Sequence, residues 1–510
     1  MTGTQIVITA VIVLYLCGVI LTGVLIGRRS KKSSEGFYLG GRGLGPLVTA
    51  MSAEASDMSS WLLMGLPGVA YLSGVADATW TAVGLALGTY LNFLLVARRI
   101  RRDSVQLDAI TIPSFLSRRF GEKTPVIMCI ASLTILVFFV PYVASGLAAI
   151  GKLFHSLFGW SYMAAVIVGA LVIISYTSVG GFSAVATMDL IQSIIMSAAL
   201  VVITCFGIHQ AGGLAAVVQN AQSLPGYLSL TQSFDAASGA ARPYGAVNAL
   251  SMVAWGLGYF GMPHILVRFM AIREEKELRT SRRIASVWVV ISMAVAVCIG
   301  LIGRAVSAAG RIPQLEGSAG ETVIVQIAGL LAQFGALPAI LAGLILAGIL
   351  AATMSTADSQ LLAASSAFSE NLVGDVLGIR LSQKQTMGVA RLTVVAIALI
   401  AVFLARDPQS SVFAIVSFAW AGFGATFGPA ILFALFWRRC SRQGILAGMV
   451  TGGVMVFVWK FWVRPLGGLW ATYELLPAFL CACLAVVVVS LVGPAPDKAV
   501  LDGFDAYKNA

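Results

Sequence analysis

Charge is scarce in this sequence. Asp, Glu, Lys and Arg make up 11% of its 510 residues, where a soluble globular domain carries roughly a quarter. That shortage excludes an ordinary soluble enzyme. Histidine is scarcer still, with only His155, His209 and His264. No GxxxxGKS/T, HExxH or zinc-type Cys/His spacing accompanies them, so ATP-driven transport and metal-dependent hydrolysis lack their usual machinery. Cys17, Cys129, Cys205, Cys298, Cys440, Cys481 and Cys483 are scattered with no paired spacing, mostly inside apolar runs, and imply neither a disulfide framework nor a metal cluster. The 53 glycines follow no period, and the aliphatic content is too high for a collagenous or disordered chain.

What is abundant is apolar sequence, 58% of residues with a mean hydropathy of +0.91. Runs of about 18 or more apolar residues are the mark of membrane helices. About thirteen such spans fall near 6-27, 46-72, 76-97, 125-150, 161-180, 184-208, 246-267, 284-307, 337-370, 388-405, 411-437, 444-463 and 471-493. The first lacks a basic leader and a small-residue cleavage site, so it reads as a retained helix. The stretch 322-335 is too short to span and is expected as an external helix; the polar segment 211-245 is expected as an external loop. The predicted fold class is thus an all-α polytopic membrane protein, a single membrane domain over 1-510 with a tail at 494-510.

Lys and Arg exceed Asp and Glu by 11, which in a soluble protein would suggest nucleic acid. Here the excess is topological. Alternate connections 28-45 (with Arg28, Arg29, Lys31, Lys32 and Arg42), 98-124, 268-283, 371-391, 438-443 and the tail hold 26 basic residues; the opposite set holds 6, with Lys460 near a helix end. Basic residues resist translocation, so the predicted N-terminus is outside and the C-terminus cytoplasmic.

Polar and helix-breaking residues inside spans carry the functional signal, because both are costly in hydrocarbon and tolerated mainly around a cavity. Span 2 runs through Glu54-Ala55-Ser56-Asp57-Met58-Ser59-Ser60-Trp61 to Gly65-Leu66-Pro67-Gly68. Span 7 contains Trp255-Gly256-Leu257-Gly258-Tyr259-Phe260-Gly261-Met262-Pro263-His264. Both are poor material for a continuous helix, and they stand five spans apart. Secondary transporters built from inverted repeats place interrupted helices at corresponding positions of two halves, which would here be spans 2-6 (46-208) and 7-11 (246-437). Span 9 adds Ala352, Ser355 and Thr356, at i, i+3 and i+4 on one helix face. Hydroxyls beside an opened backbone form an oxygen-only nest suited to a hard cation such as sodium.

Phe37-Tyr38-Leu39-Gly40-Gly41-Arg42, Ala55 to Ser59, Trp61 to Gly68, Trp255 to His264, Met354-Ser355-Thr356 and Trp420 to Ala425 with Phe427-Gly428-Pro429 together resemble the sodium/solute symporter family over nearly the whole chain. The resemblance implies thirteen helices with a leucine-transporter-like core of five plus five. It implies no cofactor, no enzymatic activity, a bacterial inner membrane, and a cycle of alternating access that imports proline with sodium. Carried over residue by residue, it implies a sodium site of the Ala55, Met58 and Ala352 carbonyls and the Ser355 and Thr356 hydroxyls, with Asp57 and Ser59 supporting coupling. Ser59, Tyr142, Trp255, Tyr259 and Pro263 match positions around the solute, and Arg42 an inner gate. In relatives with a second cation site, an aspartate matching Asp189 is joined by hydroxyls at the positions of Asp358 and Ser359. Asp189 and Asp358 are accordingly expected as an acidic pair that binds a second cation or shares a proton, or else Asp358 is solvated in the cytoplasmic vestibule. Glu54 and Ser60 depart from the glycines of proline-carrying members, and Met262 replaces an amide. Competing readings are a sodium- or proton-coupled symporter of another amino acid or small carboxylate, a membrane nutrient sensor, and a passive channel. The short tail after Leu491 leaves no room for a kinase module.

Overall fold

The computed structural model describes residues 2–30 and 34–509, so Lys31 and Lys32 lie outside the described residues. Every predicted span falls on helix. Helix α1 (Gly3–Ser30) is followed by the short α2 (Ser34–Leu39) and a 3-10 turn at Gly40–Arg42. Span 2 is α3 (Pro46–Asp57), a π-turn at Trp61–Gly65, and α4 (Leu66–Ser73); α5 (Val75–Leu91) continues through a π-turn at Asn92–Val96 into α6 (Ala97–Gln106). Next come α7 (Ile112–Arg119), α8 (Val126–Phe158), α9 (Tyr162–Gly180) and α10 (Phe182–Gln210). The loop 211-245 holds α11 (Leu214–Ser223) and strands β1 (Gln232–Asp235) and β2 (Ala240–Pro243).

The second half opens on another broken span: α12 (Ala246–Val253), a 3-10 segment at Ala254–Gly261, and α13 (Pro263–Ala271). It continues with α14 (Leu278–Ala308), α15 (Val323–Leu331), α16 (Ala336–Ser366), α17 (Gln383–Leu404) and α18 (Val412–Phe436). Helices α19 (Arg442–Val458), α20 (Leu475–Val492) and α21 (Lys498–Asn509) complete the chain.

Three details bear on these expectations. Among the described residues, ten helices are long and apolar enough to span a membrane, or eleven with the pair bent by 48° at Met262. Length and composition therefore do not by themselves establish thirteen: the apolar helix that remains of span 2, Trp61–Ser73, is short because the span is broken at Met58, while α9 carries span 5. The all-α class of the membrane part stands, and the connection 211-245 adds one hairpin, in which β1 and β2 pair antiparallel from Gln232↔Pro243 to Asp235↔Ala240. Strands of only four residues with one large apolar side chain between them leave no hydropathy signal; that side chain, Phe234, is anchored in a small cluster with Ala221 and Tyr227. Finally, Arg98 to Arg102 lie on α6, an amphipathic continuation of α5, and not in a loop.

Each half starts with its broken helix for a local reason. In α3 the small residues Ala53, Ala55 and Ser56 lead to Met58, whose ψ of 65° leaves the helix. In the second half, Met262 is extended and Pro263, which has no N–H to lose, restarts the helix at its first turn. The core is packed around α18, 83% of whose apolar window is buried, against 22% for α1. Leu14, Leu171, Leu392 and Leu484 point outward at more than half exposure, as lipid-facing residues do.

The break of span 7 is pressed onto α5 through glycines. A Cβ on Gly256 would sit 2.2 Å from the Gly84 carbonyl oxygen, and one on Gly88 would sit 2.4 Å from that of Gly256. The backbones touch because no side chain intervenes. Overpacking of this kind costs about 1–3 kcal/mol or more, so Gly256→Val is expected to lower the thermal unfolding midpoint in detergent. Gly388→Ala, in open space on α17, should leave it unchanged or slightly raised; equal midpoints for the two variants would show that the glycine contact does not matter.

Candidate functional site

At the break of span 2 the Ala55 carbonyl accepts the Ser355 hydroxyl at 2.8 Å and lies 3.5 Å from the Thr356 hydroxyl. Ser355 also donates to the Ala352 carbonyl at 3.0 Å. Four of the five groups expected at the sodium site thus meet across α3 and α16. Met58 is the residue at which α3 ends, and its N–H returns to the Glu54 carbonyl at 2.7 Å. All five residues are 3% exposed or less, and the oxygen cluster contains no thiol or imidazole.

Asp57 lies at the junction of three elements. Its carboxylate accepts the Tyr259 hydroxyl at 2.6 Å, and its carbonyl accepts from the Tyr142 hydroxyl at 3.3 Å and the Trp61 indole at 3.2 Å. Ser59 donates its N–H to the same carbonyl at 2.7 Å, and its hydroxyl accepts the Trp61 N–H. Asp57 therefore bonds groups of both helix breaks. Trp255 packs on Trp61 at 6.0 Å, Phe413 at 5.0 Å, Tyr473 at 5.5 Å and Trp420 at 6.3 Å between ring centroids, while Tyr259 meets Trp420 edge-on. Trp61 and Trp420, quoted in the sequence only as parts of motifs, and Phe413 and Tyr473, not singled out there, complete the aromatic shell around Trp255. Pro263 stands apart from this shell. It lines a narrow cavity with Tyr38, Thr111, His264, Arg268 and Ser359.

One member of the expected acidic pair, Asp189, is held by a residue the sequence hid. Asp189 accepts the Ser52 hydroxyl at 2.6 Å and forms an ion pair at 3.1 Å with Arg268, both side chains being 2% exposed or less. Arg268 also donates to Ser52 at 2.9 Å, to the His264 carbonyl at 2.6 Å and to Ser359. Asp358 takes its hydrogen bond from the Thr177 hydroxyl and is 1% exposed, so it is buried and not solvated in a vestibule. Counting Arg268 with the connection 268-283 is corrected here: it lies on the last turn of α13, inside the protein. The available signal was Asp189 itself, since a carboxylate in an apolar run needs a partner.

Arg42 follows Gly40 and Gly41 in a left-handed turn. Its guanidinium donates to Glu35, to the Ser104 hydroxyl and carbonyl, and to the Met270 and Ala109 carbonyls at 2.9–3.2 Å. Burial, opposed by Glu35, pulls its pKa below the ordinary arginine value. At another edge of the molecule Glu321 binds Lys152 at 2.6 Å and accepts the Ser411 hydroxyl and the Val412 and Phe413 N–H groups at the start of α18.

With this geometry in hand, comparison with known proteins is decisive. The sodium:solute symporter family model matches residues 37–452. The chain belongs to that family. It is 41% identical over 494 residues to the sodium/proline symporter of Escherichia coli K12, covering 96% of this chain and 94% of that protein. The high-affinity proline transporter PutP of Bacillus subtilis 168 is 38% identical, covering 96% and 99%. Among solved structures, a substrate-bound, outward-open Na+-coupled sialic acid symporter superimposes with a TM-score of 0.78 at 19% identity, over 96% of this chain and 99% of that one. MhsT in complex with L-phenylalanine gives 0.52 at 14%, over 87% and 98%. The fold is that of the leucine-transporter class, and the protein is a membrane transporter by family.

Removing one member of a buried ion pair strands the other, at about 3–5 kcal/mol. Arg268→Ala is expected to destabilise the detergent-solubilised protein by that order, and Arg268→Ala with Asp189→Ala by clearly less than the two single losses added together. Strict additivity in thermal unfolding would show that the two charges do not interact.

Proposed function

We infer that the protein is a secondary active symporter that imports proline together with sodium by alternating access. The observation that carries this reading is the junction of Ala55, Ala352, Ser355 and Thr356, where an opened backbone in one half meets two hydroxyls of the other. Oxygen-only donors suit a hard monovalent cation, and a cation bound there ties α3 to α16. We take Met58 as contributing a further carbonyl. Sodium favours the arrangement in which these oxygens converge; proline, bound at the same break, favours it too, and coupling follows from that shared preference. The relatives named for proline transport support the choice of solute.

Proline is amphipathic in the way the site is. Its carboxylate suits the N–H groups freed where α3 ends, around Ser59, while its ring suits the faces of Trp255, Tyr259 and Tyr142. Pro263, beside the cavity, is placed to hinge α13 rather than to contact the ring. Arg42 acts as the latch of the inner gate, because its hydrogen bonds tie the segment ahead of α3 to α6 and α13. The Asp189, Arg268, Ser359 and Asp358 cluster serves as a fixed joint in which arginine supplies the positive charge that a second cation would bring.

Orientation follows from the grouping of the basic segments. Arg101 bonds the Ile272 carbonyl, Arg102 pairs with Glu275, Arg99 and Arg119 reach the end of α18, and Arg438 pairs with Asp505 in the tail. These connections share one end of the molecule, and by the positive-inside tendency that end is cytoplasmic, with the C-terminus inside.

Uptake into proteoliposomes tests the reading. An inward sodium gradient should accumulate proline; an unchanged level without the gradient would sink the symport claim. Ser355→Ala should raise the sodium concentration for half-maximal uptake by about tenfold, the equivalent of about 1.4 kcal/mol for one lost ligand. Trp255→Ala should weaken proline uptake at limiting concentration with little change in the sodium requirement.

A further inference from the structure

Between α10 and α14 lies a groove of about 530 Å³. One wall is a stripe of α14 at four-residue spacing, Arg283, Val287, Ile291 and Val295; the other is Leu200 and Val201 of α10, and the buried Met51 of α3 closes the base. Val201, Val287 and Ile291 are exposed, so the groove opens toward the surrounding lipid. Trp288 and Ser197, which also line it, are satisfied without an occupant. The Trp288 indole N–H donates to the Ser197 hydroxyl at 3.0 Å, and that hydroxyl donates to the Ser193 carbonyl at 2.8 Å. The body of the groove therefore suits an apolar chain.

One end of the groove is basic. Arg283 lines it, and Arg279, one turn earlier on the same stripe, is exposed beside it. Among the described residues neither guanidinium has a hydrogen bond or an ion pair. The acidic groups nearest in the chain are engaged elsewhere: Glu274 with Lys276, Glu275 with Arg98 and Arg102, and Glu277 with Arg273. Arg282 turns away to the Tyr90 ring of α5. No acidic side chain lines the groove among the described residues. An apolar slot thus ends at two cations without counter-charge, at the end of the molecule where the basic segments gather.

Depth separates the occupants that could fill it. The twelve residues from Arg283 to Val295 rise about 18 Å at 1.5 Å each, a little over half of a hydrocarbon core of about 30 Å. A helix from a second copy would need a face along the whole core. A phospholipid needs one leaflet, with its anion at the surface and its chain reaching the midplane. Basic end and apolar body stand in that order here, and basic pockets between membrane helices on the cytoplasmic side take anionic headgroups. A zwitterionic headgroup would bring a cation of its own to the two arginines.

We propose that this groove is a binding site for an anionic phospholipid of the cytoplasmic leaflet, with the headgroup phosphate on Arg279 and Arg283 and one acyl chain lying against Trp288 and Met51. The leaflet rests on the orientation read from the basic segments; the site itself rests on the groove and its charges. Met51 stands six residues before Asp57 on α3, the helix that ends in the opened segment. The bound chain packs α3, α10 and α14 together, and a ligand of the folded state stabilises it by mass action.

The test gives the full-length protein in detergent either dioleoylphosphatidylglycerol or dioleoylphosphatidylcholine, which share their chains and differ in the headgroup. Native mass spectrometry should show one phosphatidylglycerol retained per chain, with a preference of about tenfold over phosphatidylcholine, and phosphatidylglycerol alone should raise the thermal unfolding midpoint. Arg279→Gln with Arg283→Gln should abolish the preference. Val287→Trp, which fills the groove and leaves both charges in place, should abolish retention. Unfolding midpoints without lipid show whether the variants fold; where one does not, the other and the wild-type comparison of the two lipids decide. Equal retention of both lipids, or retention untouched by either variant, overturns the proposal. So does a midpoint raised equally by inorganic phosphate, which assigns the arginines to a free ion, and so does a dimer that Val287→Trp dissolves, which assigns the groove to a second copy.

Discussion

A helix that opens inside a membrane exposes backbone groups that water cannot satisfy, and most of this structure follows from where those groups go. At Ala55 the freed carbonyl is met by hydroxyls of Ser355 and Thr356, so the break in one half is completed by a continuous helix of the other. At Asp57 the carbonyl is met by Trp61, Tyr142 and the Ser59 N–H. Each unsatisfied group would cost several kcal/mol in hydrocarbon. The break is therefore stable only while the two halves are packed together, and anything that replaces a hydroxyl hydrogen at Ala55 acts on that packing directly.

The second broken helix can lie so close because its neighbour has no side chains in the way. Gly84, Gly88 and Gly256 bring α5 onto the 3-10 segment, which in turn lets Asn92 donate to the Tyr259 carbonyl at 3.0 Å. Tyr259 is then fixed at both ends, by its backbone to α5 and by its hydroxyl to Asp57. Glycine content that looks like a mere composition bias in the sequence thus sets the distance between the two breaks.

The spans, both breaks and the hydroxyl face of α16 were legible in the sequence because each rests on a local pattern: apolar length, glycine and proline at mid-depth, and i, i+3, i+4 spacing. That Ala55, Ala352, Ser355 and Thr356 meet, and that Asp57 lies beside them, was expected from family resemblance added to those patterns. Arg268 was not, because an arginine at the edge of an apolar run reads as a loop charge; only the tertiary fold sets it against Asp189, 79 residues earlier in the chain. The aromatic shell was half visible for the same reason: Phe413 and Tyr473 come from segments far from Trp255, and an aromatic residue in a membrane helix carries no sequence mark of which helix it will meet. The hairpin at 232–243 escaped because strands of four residues, Gln232–Asp235 and Ala240–Pro243, are too short to show a period.

The ion pairs differ in what opening them would require. A ligand can move a two-state equilibrium only by its differential affinity, and a shift from one state to nearly all of the other takes about 5.5 kcal/mol. Arg42 makes several charge-assisted hydrogen bonds, each worth about 1.5–3 kcal/mol if nothing replaced it, which together exceed that supply. Its side chain is 11% exposed and its partner Glu35 47%, so water can take over as the bonds break and the net cost falls to what sodium and solute can provide. Arg268 and Asp189, at 2% and 1%, have no such replacement, and separating them would leave two naked charges in a low-dielectric interior. Access to water, more than the number of contacts, is what divides a pair that can part cheaply from one that cannot in this molecule. The same criterion places Lys152 and Glu321, each 5% exposed, between the two: they can part only in a state that first lets water reach the start of α18.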